Sequence, residues 1–439
     1  MSRTRTYLEI QNKINRGEAV VLTSEEVCER VRDGETIGFD DVDVVTTATR
    51  GIMSGTYIVL SFKVAEPNEF KKASSVWING IPAYVGPCPN ERLGILDLII
   101  YGTGYSKYDS SYGGGHLFKE MVEGKTIEVE VETVEGYCFK HYTDMNEIPY
   151  AKYFATRHTF KNYLAFVNPS SEPLSTIFHA ADFKGNYSEA TFCGCGEMNP
   201  IKNDPDLETI GIGTRVLING AEGFVIGSGT RSSPDNPNLA AFADLHPMTG
   251  EYMGGYLTPS GPEIISTWAV PIPIINEKIL ENVIKLDKET PLKVADVGGR
   301  IKLCETTYGD VWDNADPAVT YKPEKCIMCT TCKIEEKCPM KAVTSGDSIK
   351  SATYEPSECF NCGFCVSICP GGAFNAELGA IHCTIDNMQR TIPVTLRQSD
   401  RLRAIRAASE LKEKILDSRF RITEPVESIS FGPSFENKS

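Results

Sequence analysis

Alternation of apolar and polar residues predicts a strand and a hairpin in the first half of the chain. Residues 126–134 (TIEVEVETV) alternate with a period of two, which is typical of a strand with one buried face. Residues 215–218 and 223–226 form two further apolar stretches. Asn219-Gly220 between them favours a tight turn, so the two stretches are predicted to pair as a hairpin.

Two helices are predicted, one near each end of the chain. Thr23 and Glu26 match a capping box, which predicts a helix that follows Thr23 and is closed by Gly34. Residues 398–420 predict a basic helix with an apolar face made by Ala404, Ala408, Leu411 and Ile415. Residues 386–421 hold nine Lys or Arg and five Asp or Glu, a net charge of +4. We therefore expect this helix to dock on the acidic remainder of its own chain.

Composition narrows the functional class. The 439 residues are 41% hydrophobic and 23% charged, which is typical of a folded protein of two to three domains. The net charge of −15 argues against a nucleic-acid partner, because nucleic-acid binders need a basic face. We find no apolar run of the roughly 18 residues that span a bilayer, and residues 1–7 lead into no signal peptide. We expect a cytoplasmic protein with no membrane partner.

Cysteine is the most informative residue type. The chain has 15, and nine of them lie between Cys326 and Cys383. One run has the spacing of bacterial ferredoxins, three cysteines two residues apart and a fourth before proline: Cys359, Cys362, Cys365 and Cys369. A second run has five residues instead of three before its last cysteine: Cys326, Cys329, Cys332 and Cys338.

These two runs predict two [4Fe–4S] clusters. In the ferredoxin pattern the fourth cysteine of each run crosses to the other cluster. The predicted ligand sets are therefore Cys326, Cys329, Cys332 and Cys369 for one cluster, and Cys359, Cys362, Cys365 and Cys338 for the other. Structural zinc sites are the alternative. A zinc site usually takes two pairs of cysteines, and this preference does not explain the repeated set of three cysteines or the Cys-Pro sequence at the end of each run.

The predicted fold class follows from this division. Residues 1–318 are expected to form a large mixed α/β catalytic domain. Residues 319–385 are expected to form a small α+β domain of the bacterial two-cluster ferredoxin type, and residues 386–439 a C-terminal helix and tail. Clusters transfer electrons singly and make no bonds, so the large domain is expected to use the electrons.

Three cysteines outside the runs stand out by their neighbours in the sequence. Cys138 lies just past the predicted strand, close to Lys140 and His141, and a neighbouring cation activates a thiolate as a nucleophile. Cys193 and Cys195 form a tight Cys-Gly-Cys pair, which could carry sulfur, ligate a metal or do neither.

Several separate motifs resemble the archaeal and bacterial homocysteine-biosynthesis family, which includes the L-aspartate-semialdehyde sulfurtransferases. They are residues 43–47 (DVVTT), 112–116 (YGGGH), 203–206 (NDPD) and 209–215 (TIGIGTR). The fused cysteine-rich segment and residues 295–312 (ADVGGRIKLCETTYGDVW) are similar to the branch called methanogenesis marker 16 metalloprotein.

The resemblance implies reductive sulfur insertion, in which a cysteine persulfide converts a small anionic aldehyde to a thiol. The reaction is aspartate semialdehyde to homocysteine, or sulfoacetaldehyde to coenzyme M, with a sulfur donor and an external electron donor as partners. The family's persulfide position is Cys138, so Cys138→Ser is expected to abolish thiol formation. Ser54 stands where the family has a second cysteine, and Cys193, Cys195 and Cys304 are the candidates for a sulfur relay in its place.

The remaining site residues are predicted from chemistry together with the resemblance, which implies a small anionic substrate. His116 or His141 is a candidate to protonate the departing oxygen. Arg215, Arg50 and Ser54 are the candidate substrate-binding residues, and the two arginines are predicted to hold the anionic end of the aldehyde.

Two other function classes stay open from the sequence. One is an iron–sulfur electron-transfer or maturation protein that serves another enzyme. The other is a binding module in which the clusters only stabilise the fold. The length of residues 1–318 favours an enzyme, since an electron carrier needs no such addition. Self-association as a homo-oligomer is also left open.

Overall fold

The structure, a computed structural model, describes residues 3–86, 88–159, 164–345 and 350–432. Within this part of the chain there are nine helices: α1 Tyr7–Asn15, α2 Ser24–Arg32, α3 Gly114–Val122, α4 Pro200–Asn203, α5 Glu277–Val283, α6 Gly309–Trp312, α7 Lys333–Lys337, α8 Phe364–Ile368 and α9 Arg401–Leu416. None of these described helices combines the length and the apolar character that a membrane crossing requires.

The same residues form 24 strands. In the first half of the chain these are β1 Val21–Thr23, β2 Val44–Ile52, β3 Thr56–Lys63, β4 Ala73–Ile78, β5 Ile81–Val85, β6 Ile95–Tyr101, β7 Ile127–Thr133, β8 Cys138–Thr143, β9 Tyr150–His158, β10 Leu164–Val167, β11 Ala190–Phe192 and β12 Arg215–Ile218. The others are β13 Ala221–Ser228, β14 Leu239–Asp244, β15 Gly254–Thr258, β16 Gly261–Pro273, β17 Pro291–Asp296, β18 Lys302–Thr307, β19 Thr320–Tyr321, β20 Val343–Thr344, β21 Thr353–Tyr354, β22 Phe374–Asn375, β23 Ala380–Ile385 and β24 Met388–Arg397.

A large, mostly antiparallel sheet of 14 strands dominates the fold. Its order is β1-β2-β16-β12-β13-β14-β9-β3-β6-β5-β4-β7-β8, with β15 paired to β16 beside this path. The strand predicted at 126–134 is β7, and the predicted hairpin is β12 and β13. Asn219 and Gly220 in its turn have φ values of 50° and 85°, the left-handed region that these two residue types tolerate. Both predictions are confirmed.

A second sheet of six strands is assembled from three distant parts of the chain. Its order is β18-β17-β10-β11-β24-β23, and the pairs β10·β17 and β11·β24 are parallel. Its two edge strands, β18 and β23, also lie against each other. Because β23 comes from residues 319–385 and β24 from residues 386–439, this sheet joins all three of the predicted parts. The boundaries between those parts stay predictions.

The cysteine-rich segment contains two short antiparallel pairs, β19·β22 and β20·β21. Helix α7 lies between Cys332 and Cys338, and α8 ends directly before Cys369, so a short helix precedes the last cysteine of each run. The mixed α/β character of the large part and the C-terminal helix are confirmed. The assignment of this segment as a ferredoxin-type domain stays a prediction.

Helix α9 docks on the body of the protein, as its sequence predicts. Asp400 caps it, so the helix begins at Arg401 and is shorter than the predicted 398–420. The apolar face predicted from the sequence is completely buried against β1, β2 and β16: Ala404, Ala408, Leu411 and Ile415. On its polar side Lys412 pairs with Glu26, the N3 residue of the predicted capping box, which the structure confirms.

Candidate active site

A cavity of about 710 Å³ lies where the two sheets meet. The large sheet contributes Ser54 in the β2–β3 turn, Arg157 on β9 and Glu263 on β16. The second sheet contributes Phe166 on β10 and Cys193 directly after β11. We call this space the arginine cavity, and its other lining residues are Ile52, Gly55, Thr103, Leu164, Ile177, Phe178, Thr230, Arg231, Arg300 and Gln398.

Three arginines give the cavity its positive charge. Arg231 and Arg300 have φ values of 57° and 56°, a backbone conformation that costs a non-glycine residue about 1–3 kcal/mol and that clusters at functional sites. The Arg300 guanidinium lies 4.9 Å from the ring centroid of Phe178. Burial and the charges of Arg231 and Arg300 lower the pKa of Arg157 to about 10. Among the described residues neither Arg231 nor Arg300 has a carboxylate partner, so this lining suits an anion.

Glu263 is the acidic side chain in this lining, and it is only 6% exposed. Ser54 hydrogen-bonds to its carboxyl group, and no described donor reaches its Oε2 atom. Burial raises the pKa of Glu263, and the contact with Ser54 opposes that rise only in part. The carboxyl group is therefore shifted toward its neutral form, which can donate a proton into the cavity.

The Cys-Gly-Cys pair places its two thiols in different surroundings. The Cys193 thiol lies in the arginine cavity, 3.7 Å from Oε1 of Gln398. The Cys195 thiol is completely buried in the apolar core, 3.9 Å from the carbonyl oxygen of Arg50. Gly194 between them has a φ of 106°, which allows the sharp change of direction. Burial raises the pKa of each thiol to about 11, and Arg300 opposes the rise at Cys193.

The eight motif cysteines gather around two separate cavities. One is lined by Cys338, Cys359, Cys362 and Cys365, which we call the inner set. The other is lined by Cys326, Cys329, Cys332 and Cys369, which we call the outer set. These are the two crossed groups of four that the sequence predicts. Among the described residues, no three or more His, Cys, Asp or Glu side chains converge as they would on a single metal ion. A cube instead holds its thiolates at separate corners.

The inner set is connected to the arginine cavity through the end of β24. The backbone N–H of Arg397 donates a hydrogen bond of 2.8 Å to the carbonyl oxygen of Cys362. The next residue, Gln398, lines the arginine cavity and contacts the Cys193 thiol. Its amide also donates to Oγ1 of Thr191 at 3.1 Å, which fixes the side chain in this position.

Cys138 lies elsewhere. It is the first residue of β8, the last strand of the large sheet, and its side chain is exposed. Lys140, predicted to activate its thiol, is instead bound to Glu128 on β7 at 2.8 Å. His141 is half-buried on the same strand, and burial lowers its pKa. Cys138 and His141 are not among the residues that line the arginine cavity.

His116 has a local structural role. It lies in the first turn of α3, where its Nδ1 accepts a hydrogen bond of 3.1 Å from the backbone N–H of Gly113. Burial lowers its pKa to about 4. It is therefore neutral at physiological pH and is not a strong proton donor.

The structure also separates the two predicted substrate arginines from Cys138. Arg215 on β12 pairs with Glu222 at 3.2 Å, far along the sheet order from β8. Arg50 is completely buried, and its Nε lies 3.3 Å from Asp400. Neither arginine lines the arginine cavity, and each is paired with a carboxylate. Ser54 is the predicted substrate residue that does line the arginine cavity.

Cys304, the last relay candidate, faces another cysteine. It lies on β18 and contacts Cys383 on β23, where the two edges of the second sheet meet. Burial and the neighbouring Cys383 thiol raise the pKa of Cys304 to about 12. Two strands of the second sheet, β17 and β10, lie between its strand and β11, which Cys193 follows.

Sequence reasoning missed Arg157, Arg231, Arg300, Glu263 and Gln398. Their convergence depends on the pairing of strands that are far apart in the chain, which no local pattern reveals. One signal was present, since Arg231 and Arg300 each follow a glycine-containing loop and stand out as basic loop residues in an acidic chain.

Comparison with known proteins gives consistent matches. A family model described as homocysteine biosynthesis enzyme, sulfur-incorporation, matches residues 19–422. An uncharacterized protein of Methanothermobacter thermautotrophicus is 45% identical over 417 residues, which cover 95% of this chain and 94% of that protein. An L-aspartate semialdehyde sulfurtransferase of Methanosarcina acetivorans is 31% identical over 316 residues, or 67% of this chain and 59% of that protein. One of Methanocaldococcus jannaschii is 30% identical with the same two shares. No solved structure matches the chain significantly.

Proposed function

Because the chain belongs to the homocysteine biosynthesis, sulfur-incorporation family and is a sulfurtransferase, we propose that it inserts sulfur into a small anionic aldehyde in the arginine cavity. The product is the corresponding thiol, and the aldehyde oxygen leaves as water. The observation that carries this proposal is the convergence of three arginines, a thiol and a buried carboxyl group on one cavity.

The charges of the cavity favour an aldehyde that has an anionic end and no ammonium group. Guanidinium groups can hold either a carboxylate or a sulfonate. Aspartate semialdehyde, which appears in the names of two relatives, also has an ammonium group. Glu263 is the one acidic side chain in the described lining that could pair with this ammonium group. Because burial raises the pKa of Glu263, that residue is a weak partner for a cation. We therefore propose sulfoacetaldehyde ahead of aspartate semialdehyde.

The reaction consumes electrons, and the two cysteine sets fit the groups that supply them. From a cysteine persulfide the balance is RCHO + Cys–S–SH + 4e⁻ + 4H⁺ → RCH₂SH + Cys–SH + H₂O. The inner and outer sets would each hold one [4Fe–4S] cluster, which supplies one electron at a time. Two such clusters would supply the four electrons of one turnover if an external one-electron donor reduced each of them twice.

The chain's own residues bind the substrate and move the protons. Arg157, Arg231 and Arg300 hold the anionic end and so orient the carbonyl carbon. The ring of Phe178 lies 4.9 Å from the Arg300 guanidinium and offers this cation an aromatic face. Glu263 donates the proton to the carbonyl oxygen as the carbon–sulfur bond forms.

A product assay under reductant tests the reaction. The anaerobic protein is given a sulfane-sulfur donor, a low-potential reductant and one of three aldehydes: sulfoacetaldehyde, aspartate semialdehyde or neutral propionaldehyde. We expect thiol from the anionic aldehydes, fastest from sulfoacetaldehyde, and little from propionaldehyde. If no anionic aldehyde yields a thiol while the reduced protein still passes electrons to an acceptor protein, the electron-transfer function is the correct one.

Arg300→Ala tests the anion site. Loss of one hydrogen-bonded charge is expected to raise the KM for the anionic aldehyde by about 10- to 100-fold with a smaller effect on kcat. Arg92→Ala, at an exposed arginine outside the cavity, is the matched control and should leave KM unchanged. An equal KM for the two variants would remove Arg300 from the substrate site.

A further inference from the structure

We propose that Cys193, rather than Cys138, is the thiol that carries the transferred sulfur, an assignment that rests on the proposed function. Three independent features converge on this side chain: the anion site, a fixed backbone, and a packed connection to the inner cysteine set. Among the described cysteines outside the two runs, Cys193 alone lines the arginine cavity.

The backbone of Cys193 is held on both sides. Its N–H donates to the carbonyl oxygen of Leu164 at 3.0 Å, and its own carbonyl oxygen accepts a hydrogen bond of 2.7 Å from the hydroxyl of Tyr308. The next peptide is also held, because Ser399 Oγ accepts from the N–H of Gly194 at 2.8 Å. A thiol fixed in this way meets an oriented aldehyde without further rearrangement.

The electrostatic surroundings suit a sulfur carrier. Burial keeps the resting Cys193 thiol protonated, which protects it from adventitious oxidation. A persulfide is a stronger acid than its parent thiol, so loading with sulfur favours the anion. Arg300, which already opposes the effect of burial at Cys193, then stabilises the negative terminal sulfur.

The inner set reaches Cys193 through two packed connections. The first is the hydrogen bond from Arg397 to Cys362, followed by Gln398 and its 3.7 Å contact with the thiol. In the second, the Arg397 guanidinium lies 5.1 Å from the ring centroid of Trp312. That ring packs edge-on at 5.3 Å against Phe192, the residue before Cys193. A cluster held by the inner set would therefore be separated from the sulfur that must be reduced only by packed protein.

The chemical steps balance as follows. The Cys193 thiol attacks the terminal sulfur of a donor persulfide R–S–SH, so that Cys–S–SH forms and the proton of the thiol leaves with the donor as R–SH. The terminal sulfur then attacks the aldehyde carbon, and Glu263 protonates the oxygen to give Cys–S–S–CH(OH)R′. Two electrons and two protons cleave the sulfur–sulfur bond, water leaves as a thioaldehyde forms, and two more electrons and protons give R′CH₂SH. The reductant is a low-potential one-electron donor.

Mapping of persulfides by mass spectrometry tests the assignment separately from turnover. The full-length protein, isolated anaerobically, is treated with a sulfane-sulfur donor, alkylated and digested. We expect the additional sulfur on Cys193 in the wild type and in Cys138→Ser. Cys193→Ser is expected to lose both the modification and thiol formation while it keeps its iron and its thermal midpoint. Cys88→Ser, at an exposed cysteine outside both sites, is the matched control and should behave as the wild type.

The two proposals fail in different ways. A persulfide on Cys138 alone, on another cysteine or on none, with thiol still formed by the wild type, would overturn the role of Cys193 and leave the proposed function intact. Full turnover by Cys193→Ser would do the same. Absence of thiol from the wild type with every anionic aldehyde would instead remove the proposed function.

Discussion

One carboxylate oxygen of Glu263 is buried in the arginine cavity without a described hydrogen-bond partner. The protonation of this buried group should therefore change the free energy of unfolding with pH. A raised pKa means that the folded state binds the proton more tightly than the unfolded chain does. As pH rises from the ordinary carboxyl range through the raised pKa, the free energy of unfolding therefore falls. Glu263→Gln, which resembles the protonated acid, lacks this dependence.

We expect Glu263→Gln to gain stability relative to the wild type as pH rises, and to lose most thiol formation because an amide cannot deliver the proton. The measurement is the difference between the two thermal midpoints at about pH 5 and pH 8, the range above the usual carboxyl pKa. Glu29→Gln, at an exposed position, is the control and should show a difference independent of pH. A pH-independent difference for Glu263→Gln would mean that this carboxyl group is ionised and is not the proton donor.

At the scale of residues, the sequence showed which side chains have reactive groups, but it did not show which other side chains they contact. The Cys-Gly-Cys pair drew attention to Cys193, but its orientation depends on a glycine at φ 106° and on the meeting of two sheets. Lys140 was predicted to activate Cys138, yet the pairing of β7 with β8 brings Glu128 to it instead. Neighbours in the sequence are therefore a poor guide where the register of a strand pair selects the partner.

The start of helix α9 is tied to two other elements by one carboxylate. Asp400 is completely buried and caps the helix. Its Oδ2 lies 3.3 Å from Arg50 on β2 and 2.9 Å from Arg403, and its Oδ1 accepts a hydrogen bond of 3.2 Å from Asn361 in the cysteine-rich segment. Removal of this side chain would leave two guanidinium groups buried without their counter-charge.

We therefore expect Asp400→Ala to lower the free energy of unfolding by about 3–5 kcal/mol, because removal of one member of a buried ion pair leaves the other charge buried without compensation. Urea unfolding, followed by circular dichroism under anaerobic conditions, measures the loss. Asp417→Ala at the other end of α9 is the control. Within the described part of the chain its side chain pairs with Arg419 at the surface, so its removal should leave the midpoint nearly unchanged. Equal midpoints for the two variants would show that the junction at Asp400 adds no stability.

Elements with a strong local pattern could be predicted from the sequence. The pairing of strands that are far apart in the chain could not. The apolar positions of α9 and the turn of the β12–β13 hairpin both act through residues close in sequence, and both predictions were confirmed. The second sheet unites residues 164–192, 291–307 and 380–397. Short strands such as β10 and β11 have no alternation long enough to indicate a sheet, and nothing local selects partners 100 residues or more away.

For the whole molecule, the two cysteine sets differ in their access to solvent. In the inner set Cys359 and Cys362 are only 8% and 7% exposed, whereas Cys329 in the outer set is exposed and its three companions are half-buried. If both sets hold clusters, the anaerobic protein should contain about eight irons. An iron chelator should then remove about four of them in a fast phase and the remainder slowly.

Cys329→Ser separates the two phases, because it is expected to abolish the fast phase and to leave the slow one with its iron. Iron release is followed by the absorbance of the chelate, and the electron paramagnetic resonance signal identifies the cluster that remains. Release in a single phase, about four irons in total, or zinc in place of iron would contradict two clusters of unequal exposure.

The route of β24 limits how the protein can be divided. This strand leaves the cysteine-rich segment, pairs with β11 and ends beside Cys193, and the chain then enters α9. A truncation after residue 318 would remove the partner of β11, the side chain that touches Cys193 and the helix that covers β2. The cysteine-rich segment is thus joined to the rest of the protein by a shared sheet and by packed elements, and not by a flexible tether. If the inner set holds a cluster, its electrons would cross a fixed gap to Cys193 without any swinging arm, so that internal step should not depend on solvent viscosity, whereas loading by the external donor should.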